Sequence, residues 1–108
     1  MTVKELANTE LFSAVAMPHG EREINGVYIG DLLSWVMGRA EADNAWITIM
    51  SNNNILAVAA LADTSCIILA EGVSLEDSIV KTAEEKGINI LKSEKNAYEI
   101  SVALSSML

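Results

Sequence analysis

The residues best suited to hold a small molecule are three consecutive asparagines, Asn52, Asn53 and Asn54, which follow the apolar run Trp46-Ile-Thr-Ile-Met50 and Ser51. Their amides combine donors and acceptors on one planar group, which suits a neutral polar ligand or a nucleotide. The same residue types make turns and helix N-caps, so the run also reads as punctuation ahead of a helix. Asp31 follows Gly30 and could bind a ligand hydroxyl or a cation, or cap the helix carrying Leu32, Leu33, Val36 and Met37. Glu71 and Gly72 close a second apolar run, Cys66-Ile-Ile-Leu69. These six positions, Asp31, Asn52, Asn53, Asn54, Glu71 and Gly72, are the candidate ligand-binding set.

Residues able to do covalent or acid–base chemistry are few. His19 is the only histidine and stands between Pro18 and Gly20, with no serine, cysteine or carboxylate at a telling spacing. Cys66 is the only cysteine and lies inside an apolar run with nothing nearby to lower its pKa, so it reads as a buried thiol rather than a redox sensor. One His and one Cys cannot build a zinc site. The phosphate-binding G-x-x-x-x-G-K-[ST], the dinucleotide G-x-G-x-x-G and the nucleophile-elbow G-x-S-x-G are all missing. No catalytic residue, metal or cofactor is expected.

Composition narrows the partners. Fifteen acidic residues against seven basic ones leave a net charge of −8, a field that repels nucleic-acid backbones and anionic membranes. Apolar residues make up 51% of the 108, and the mean hydropathy is +0.30. That is more apolar surface than one small domain readily hides, which predicts a homodimer. No apolar stretch approaches the ~18 residues of a membrane span, the opening MTVKELANTELF lacks a signal-peptide core, and a lone cysteine gives no disulfide framework. The cytoplasm is the expected compartment, and residues 1–108 read as a single domain.

The elements that must position the candidate residues are strands and helices in alternation. Thr2 stands as an N-cap before Val3, Leu6 and Ala7; Leu11–Ala16 and Gly26–Ile29 read as strands, with a solvated loop 17–25 between them. The stretch from Ala45 to Gly72 reads as strand, polar turn, helix, strand and tight turn. Ile55–Ala62 is apolar on nearly every face, which predicts an almost wholly buried helix. Ser74 and Asp77 have the spacing of a capping box ahead of Ile79, Val80 and Ala83, with Gly87 as the helix stop. Ile88–Leu91 reads as a strand and Asn96 as the cap of a last helix. Near-continuous apolar strands joined by helices require a mostly parallel sheet covered on both faces, a three-layer α/β/α domain. Ligands in such sheets bind beyond the carboxyl ends of the strands. There the loops are Gly30-Asp31, Ser51–Asn54, Ala70–Gly72 and Lys92–Lys95.

Several stretches resemble the DRTGG domain family across essentially the whole chain. They are Gly26-Val-Tyr-Ile-Gly-Asp-Leu-Leu-Ser-Trp-Val-Met37, Trp46-Ile-Thr-Ile49, Asn54-Ile55 with its alanine-rich helix, and AEEKGINILKS. The resemblance implies a fold like the N-terminal domain of HPr kinase/phosphorylase. It also implies a non-catalytic regulatory module that dimerises and senses a small ligand on behalf of a larger metabolic enzyme, as in modules of phosphotransacetylases and CBS-containing pyrophosphatases. The family is named for an Asp-Arg pair after one strand and a Thr-Gly-Gly turn after the next. Here the corresponding places hold Ser51-Asn52-Asn53 and Ala70-Glu71-Gly72. The charged pair is gone, and Glu71 would repel a phosphate at the turn.

Two functions therefore stand side by side. One is a ligand-sensing module using the six candidate residues. The other is a structural dimerisation or docking subunit with no small ligand. Trp35, beyond the Leu32-Val36 stripe of its helix, reads either as an interface anchor or as a partly buried core residue.

Overall fold

The computed structural model describes residues 1–108. In chain order its elements are α1 (Val3–Ala7), β1 (Ser13–Ala16), β2 (Gly26–Ile29), α2 (Leu33–Arg39), β3 (Asn44–Thr48), α3 (Asn54–Ala62), β4 (Cys66–Leu69), α4 (Asp77–Lys86), β5 (Ile90–Lys92) and α5 (Ala97–Met107). The strands form one sheet in the order β1-β5-β4-β3-β2, parallel throughout except for β1 against β5. From β2 to β5 the chain steps one strand at a time in a single direction. Right-handed crossovers then place α2, α3 and α4 on the same face of the sheet.

Alternation along the two central strands fills both sides. Trp46, Ile67 and Leu69 point toward α2, α3 and α4 and pack with Val36, Ile55, Leu56, Ile79 and Ala83. Ala45, Ile47, Cys66 and Ile68 point the other way, onto Val3 and Leu6 of α1 and Ile100 and Leu104 of α5. Every residue of β3 and β4 is buried, as a sheet covered on both faces requires. The three-layer α/β/α reading holds. Burial pushes the Cys66 thiol up to about 12, with the field of Arg22 offsetting little of it, so the thiol lacks the thiolate a redox sensor uses.

Local details depart from the sequence reading where tertiary contacts intervene. Strand β3 stops at Thr48, whose hydroxyl accepts the Met50 N–H and turns the chain. Helix α4 begins at Asp77 rather than just after Ser74, because Val73 and Leu75 pack onto the core first and Glu76 is the extended N-cap. Helix α3 is not wholly buried. Ile55, Leu56, Val58 and Ala59 face the sheet, whereas Ala57, Ala60 and Leu61 face solvent, Leu61 with 72% of its surface exposed. The caps at Thr2, Asn96 and Gly87 form as read: Thr2 and Glu5 complete a capping box, Asn96 accepts the Glu99 N–H, and Gly87 takes a left-handed φ of 76°.

The connection from β1 to β2 shapes the end of the sheet opposite the strands' carboxyl edge. These strands lie on opposite edges, so residues 17–25 must cross beneath every other strand. Polar side chains at the strand starts hold this segment. The Asn89 amide donates to the carbonyls of His19 and Ser65 and accepts the His19 N–H. The Ser65 hydroxyl donates to the carbonyls of Glu23 and Asp43. Arg22 reaches the carboxylate of Asp43 at 2.7 Å, that of Asp63 at 3.2 Å, and the carbonyls of Asp63 and Thr64. Burial works against the Arg22 charge, but the hydrogen bond to Asp43 and the field of Asp63 outweigh it and raise the pKa. The stretch read as a merely solvated loop is therefore a fastened strap.

Candidate functional site

At the carboxyl edge of the sheet the four connecting loops are joined in two pairs. The β2–α2 corner is tied to the end of β3 through Asp31, whose Oδ1 accepts the Thr48 hydroxyl at 2.8 Å and the Ile49 N–H at 2.9 Å. The N-cap of α2 is Leu32, without a side-chain cap, so Asp31 is a brace between strands and not the helix cap. Trp46 reinforces the same corner by donating its indole N–H to the Gly30 carbonyl at 2.9 Å. On the other side, the β4–α4 turn is joined to the β5–α5 loop by backbone bonds from Glu71 to Lys95 and from Gly72 to Ser93.

A cleft of about 740 Å³ opens between the β3–α3 loop and the start of α4. Its walls are Ile49, Met50, Ser51, Asn52 and Asn53 on one side and Glu76, Ser78, Ile79 and Thr82 on the other. The lining is hydroxyls, amides, three apolar side chains and a single charge, Glu76. The Asn52 Oδ1 accepts the Asn54 N–H at 2.9 Å, whereas Asn53 and Glu76, the N-caps of α3 and α4, make no side-chain cap bond. Such a surface offers hydrogen bonds to a neutral or amine-bearing molecule. Without a cation, and with Glu76 on the wall, it offers no charge to neutralise a phosphate chain.

Of the six candidate residues, only Asn52 and Asn53 line this cleft. Asn54 starts α3 in solvent. Asp31 stands behind the wall and positions Ile49 through the backbone. Glu71 and Gly72 lie in the second pair of loops, beside a small hollow of about 180 Å³ whose lining includes Lys92, Glu94 and Lys95. Glu76, Ser78 and Thr82 escaped the sequence reading. Their signal was there: Ser78 and Thr82 are four apart and flank the buried Ile79–Ala83 stripe, so they share one face of α4.

The β4–α4 turn has an unusual backbone. Glu71 at φ 58° and Gly72 at φ 70° are consecutive left-handed residues, and a Cβ on Gly72 would collide with the Glu94 carboxylate. Glycine suits Gly72, but Glu71 adopts the same region at a cost of about 1 kcal/mol. Glu71→Gly should therefore be neutral to stabilising by up to ~1 kcal/mol despite the added unfolded-chain entropy. A thermal melt showing Glu71→Gly clearly less stable would reveal a role for the carboxylate that the turn does not explain.

With the fold and this geometry in view, similarity to known proteins becomes informative. A family model described as the DRTGG domain matches residues 13–107. The chain belongs to the DRTGG domain family. DRTGG domains are regulatory modules. No curated protein matches the chain. Among solved structures, it is similar to the CBS and DRTGG domains of the regulatory region of Clostridium perfringens pyrophosphatase, a crystal structure complexed with the activator diadenosine tetraphosphate. The TM-score is 0.65 at 13% identity, over 84% of this chain and 40% of that one. The likeness supports the DRTGG fold, and this chain spans well under half of that regulatory region. No helix is long and apolar enough to cross a membrane.

Proposed function

We propose that this DRTGG domain is a non-catalytic regulatory module that binds a small polar ligand in the cleft between the β3–α3 loop and α4, self-associates, and acts on behalf of a metabolic enzyme. The observation carrying the ligand reading is the cleft itself, at the carboxyl edge where parallel sheets bind ligands, lined by Asn52, Asn53, Ser51 and Ser78. The nucleotide activator of the pyrophosphatase regulatory region points to a nucleotide or nucleoside. The lining refines that choice. Glu76 and the amides suit ribose hydroxyls and a base amine, and any phosphate belongs at the open mouth of the cleft, away from Glu76.

A thermal-shift series with adenosine, adenosine monophosphate, adenosine triphosphate and diadenosine tetraphosphate tests this. A ligand at ~100 times its dissociation constant adds about 2.7 kcal/mol, which for a domain of this size raises the melting temperature by roughly 10–20 °C. Thr82→Trp, filling the cleft from the flank of α4, should abolish the shift while the protein stays folded. No shift with any of the four compounds favours the second reading, a docking subunit without a small ligand. The uncovered apolar side of α3 supports that alternative.

A further inference from the structure

Helices α2 and α3 pack side by side on one face of the sheet, and their outer surface has a composition unlike the rest of the molecule. None of the fifteen acidic residues lies on either helix, and α3 carries no charged side chain at all. The neighbouring α4, by contrast, shows Lys81, Glu84, Glu85 and Lys86 to solvent. On α3 the solvent side is Ala57, Ala60 and Leu61. On α2 and its N-cap, Leu32, Trp35 and Met37 are each about half exposed, and the only charge, Arg39, is stacked over Trp35 at 3.8 Å.

We infer that the α2–α3 face is where a second copy of this chain docks, which rests on the self-association proposed above and locates it. Charge argues for this occupant. Two molecules each carrying −8 repel over most of their surfaces, whereas α2 and α3 carry no carboxylate of their own, the exposed Asp31, Glu41 and Asp63 standing beyond the helix ends. Shape argues the same way. Across a two-fold axis passing α3, the small Ala57 and Ala60 leave room for the projecting Leu61 of the partner subunit, a self-complementary arrangement. Area supplies more than half of what is needed: Leu32, Trp35, Met37 and Leu61 expose about 450 Å² at ~200 Å² per fully exposed large side chain. The alanines and flanking backbone bring this toward the ~800 Å² per partner of a stable dimer.

Sedimentation of the full chain over a dilution series tests the assignment. The unmodified protein should sediment at twice 11.6 kDa. Leu61→Glu and Ala57→Glu, both at exposed positions, should raise the dissociation constant at least 100-fold. Val102→Glu, on exposed α5 across the sheet, should leave the dimer intact. A dimer that survives both α3 variants overturns this face but leaves self-association standing. An unmodified protein that stays monomeric at millimolar concentration overturns both. Should the variants lose their helical circular dichroism, hydrogen exchange of the unmodified chain decides. Amides on the α2–α3 face must gain protection with concentration, and gains elsewhere alone reject the assignment.

Discussion

Asn89→Ala is expected to lower the melting temperature by roughly 10–20 °C. Asn89 is 2% exposed and spends its whole side chain on three hydrogen bonds, two to His19 and one to the Ser65 carbonyl. Removing the amide strands the partly buried His19 N–H and carbonyl and the buried Ser65 carbonyl, at about 1 kcal/mol each. A domain of this length loses about 4–8 °C per kcal/mol. The loss should be more than local, because Asn89 fixes the strap that carries the chain from one edge of the sheet to the other. Asn89→Asp should be no better: it keeps the acceptor for His19 but loses the donors and places a carboxylate against two carbonyls. Thermal unfolding followed by circular dichroism decides. A fall of less than about 3 °C for Asn89→Ala would mean that Arg22 and Ser65 hold the strap without it.

Trp46→Ala should be the most damaging substitution in the chain. Trp46 has no exposed surface, occupies the centre of the core beneath α2 and α3, and donates its indole N–H to Gly30. Large-to-small replacement of a buried tryptophan costs about 3–5 kcal/mol through lost transfer energy and the cavity left behind. Against a total stability of roughly 5–15 kcal/mol this brings the domain close to unfolding. Trp46→Phe separates the two contributions. It keeps most of the buried ring but leaves the Gly30 carbonyl without its donor, so it should cost about 1–2 kcal/mol. Urea unfolding of both variants gives the comparison. Near-equal losses would mean that the hydrogen bond, rather than the volume, secures the corner from which Asp31 braces the cleft wall.

Much of the architecture is legible in the sequence itself. The apolar runs Trp46–Met50 and Cys66–Leu69 read as strands of a sheet covered on both faces, and the caps at Thr2, Asn96 and Gly87 read from single residues. The errors share one cause, contact with residues distant in sequence. Asp31 looked like a helix cap because the sequence does not reveal that Thr48 and Ile49, seventeen and eighteen residues on, present two donors to it. Ser74 looked like a cap because nothing local shows that Val73 and Leu75 are needed by the core. Arg22 looked solvated because its partners, Asp43, Asp63 and Thr64, lie twenty to forty residues further along.

The same division runs through the candidate site. Period and residue type, which act over neighbours a few positions apart, were enough to determine the α/β/α layering, the loops at the carboxyl edge and two of the cleft's asparagines. Only the tertiary structure decided that Glu76, Ser78 and Thr82 face Asn52 and Asn53, that Glu71 and Gly72 belong to a different loop pair, and that one side of α3 stays uncovered. Those outcomes depend on where each crossover sets its helix on the sheet, a balance of packing among distant side chains that no local pattern encodes.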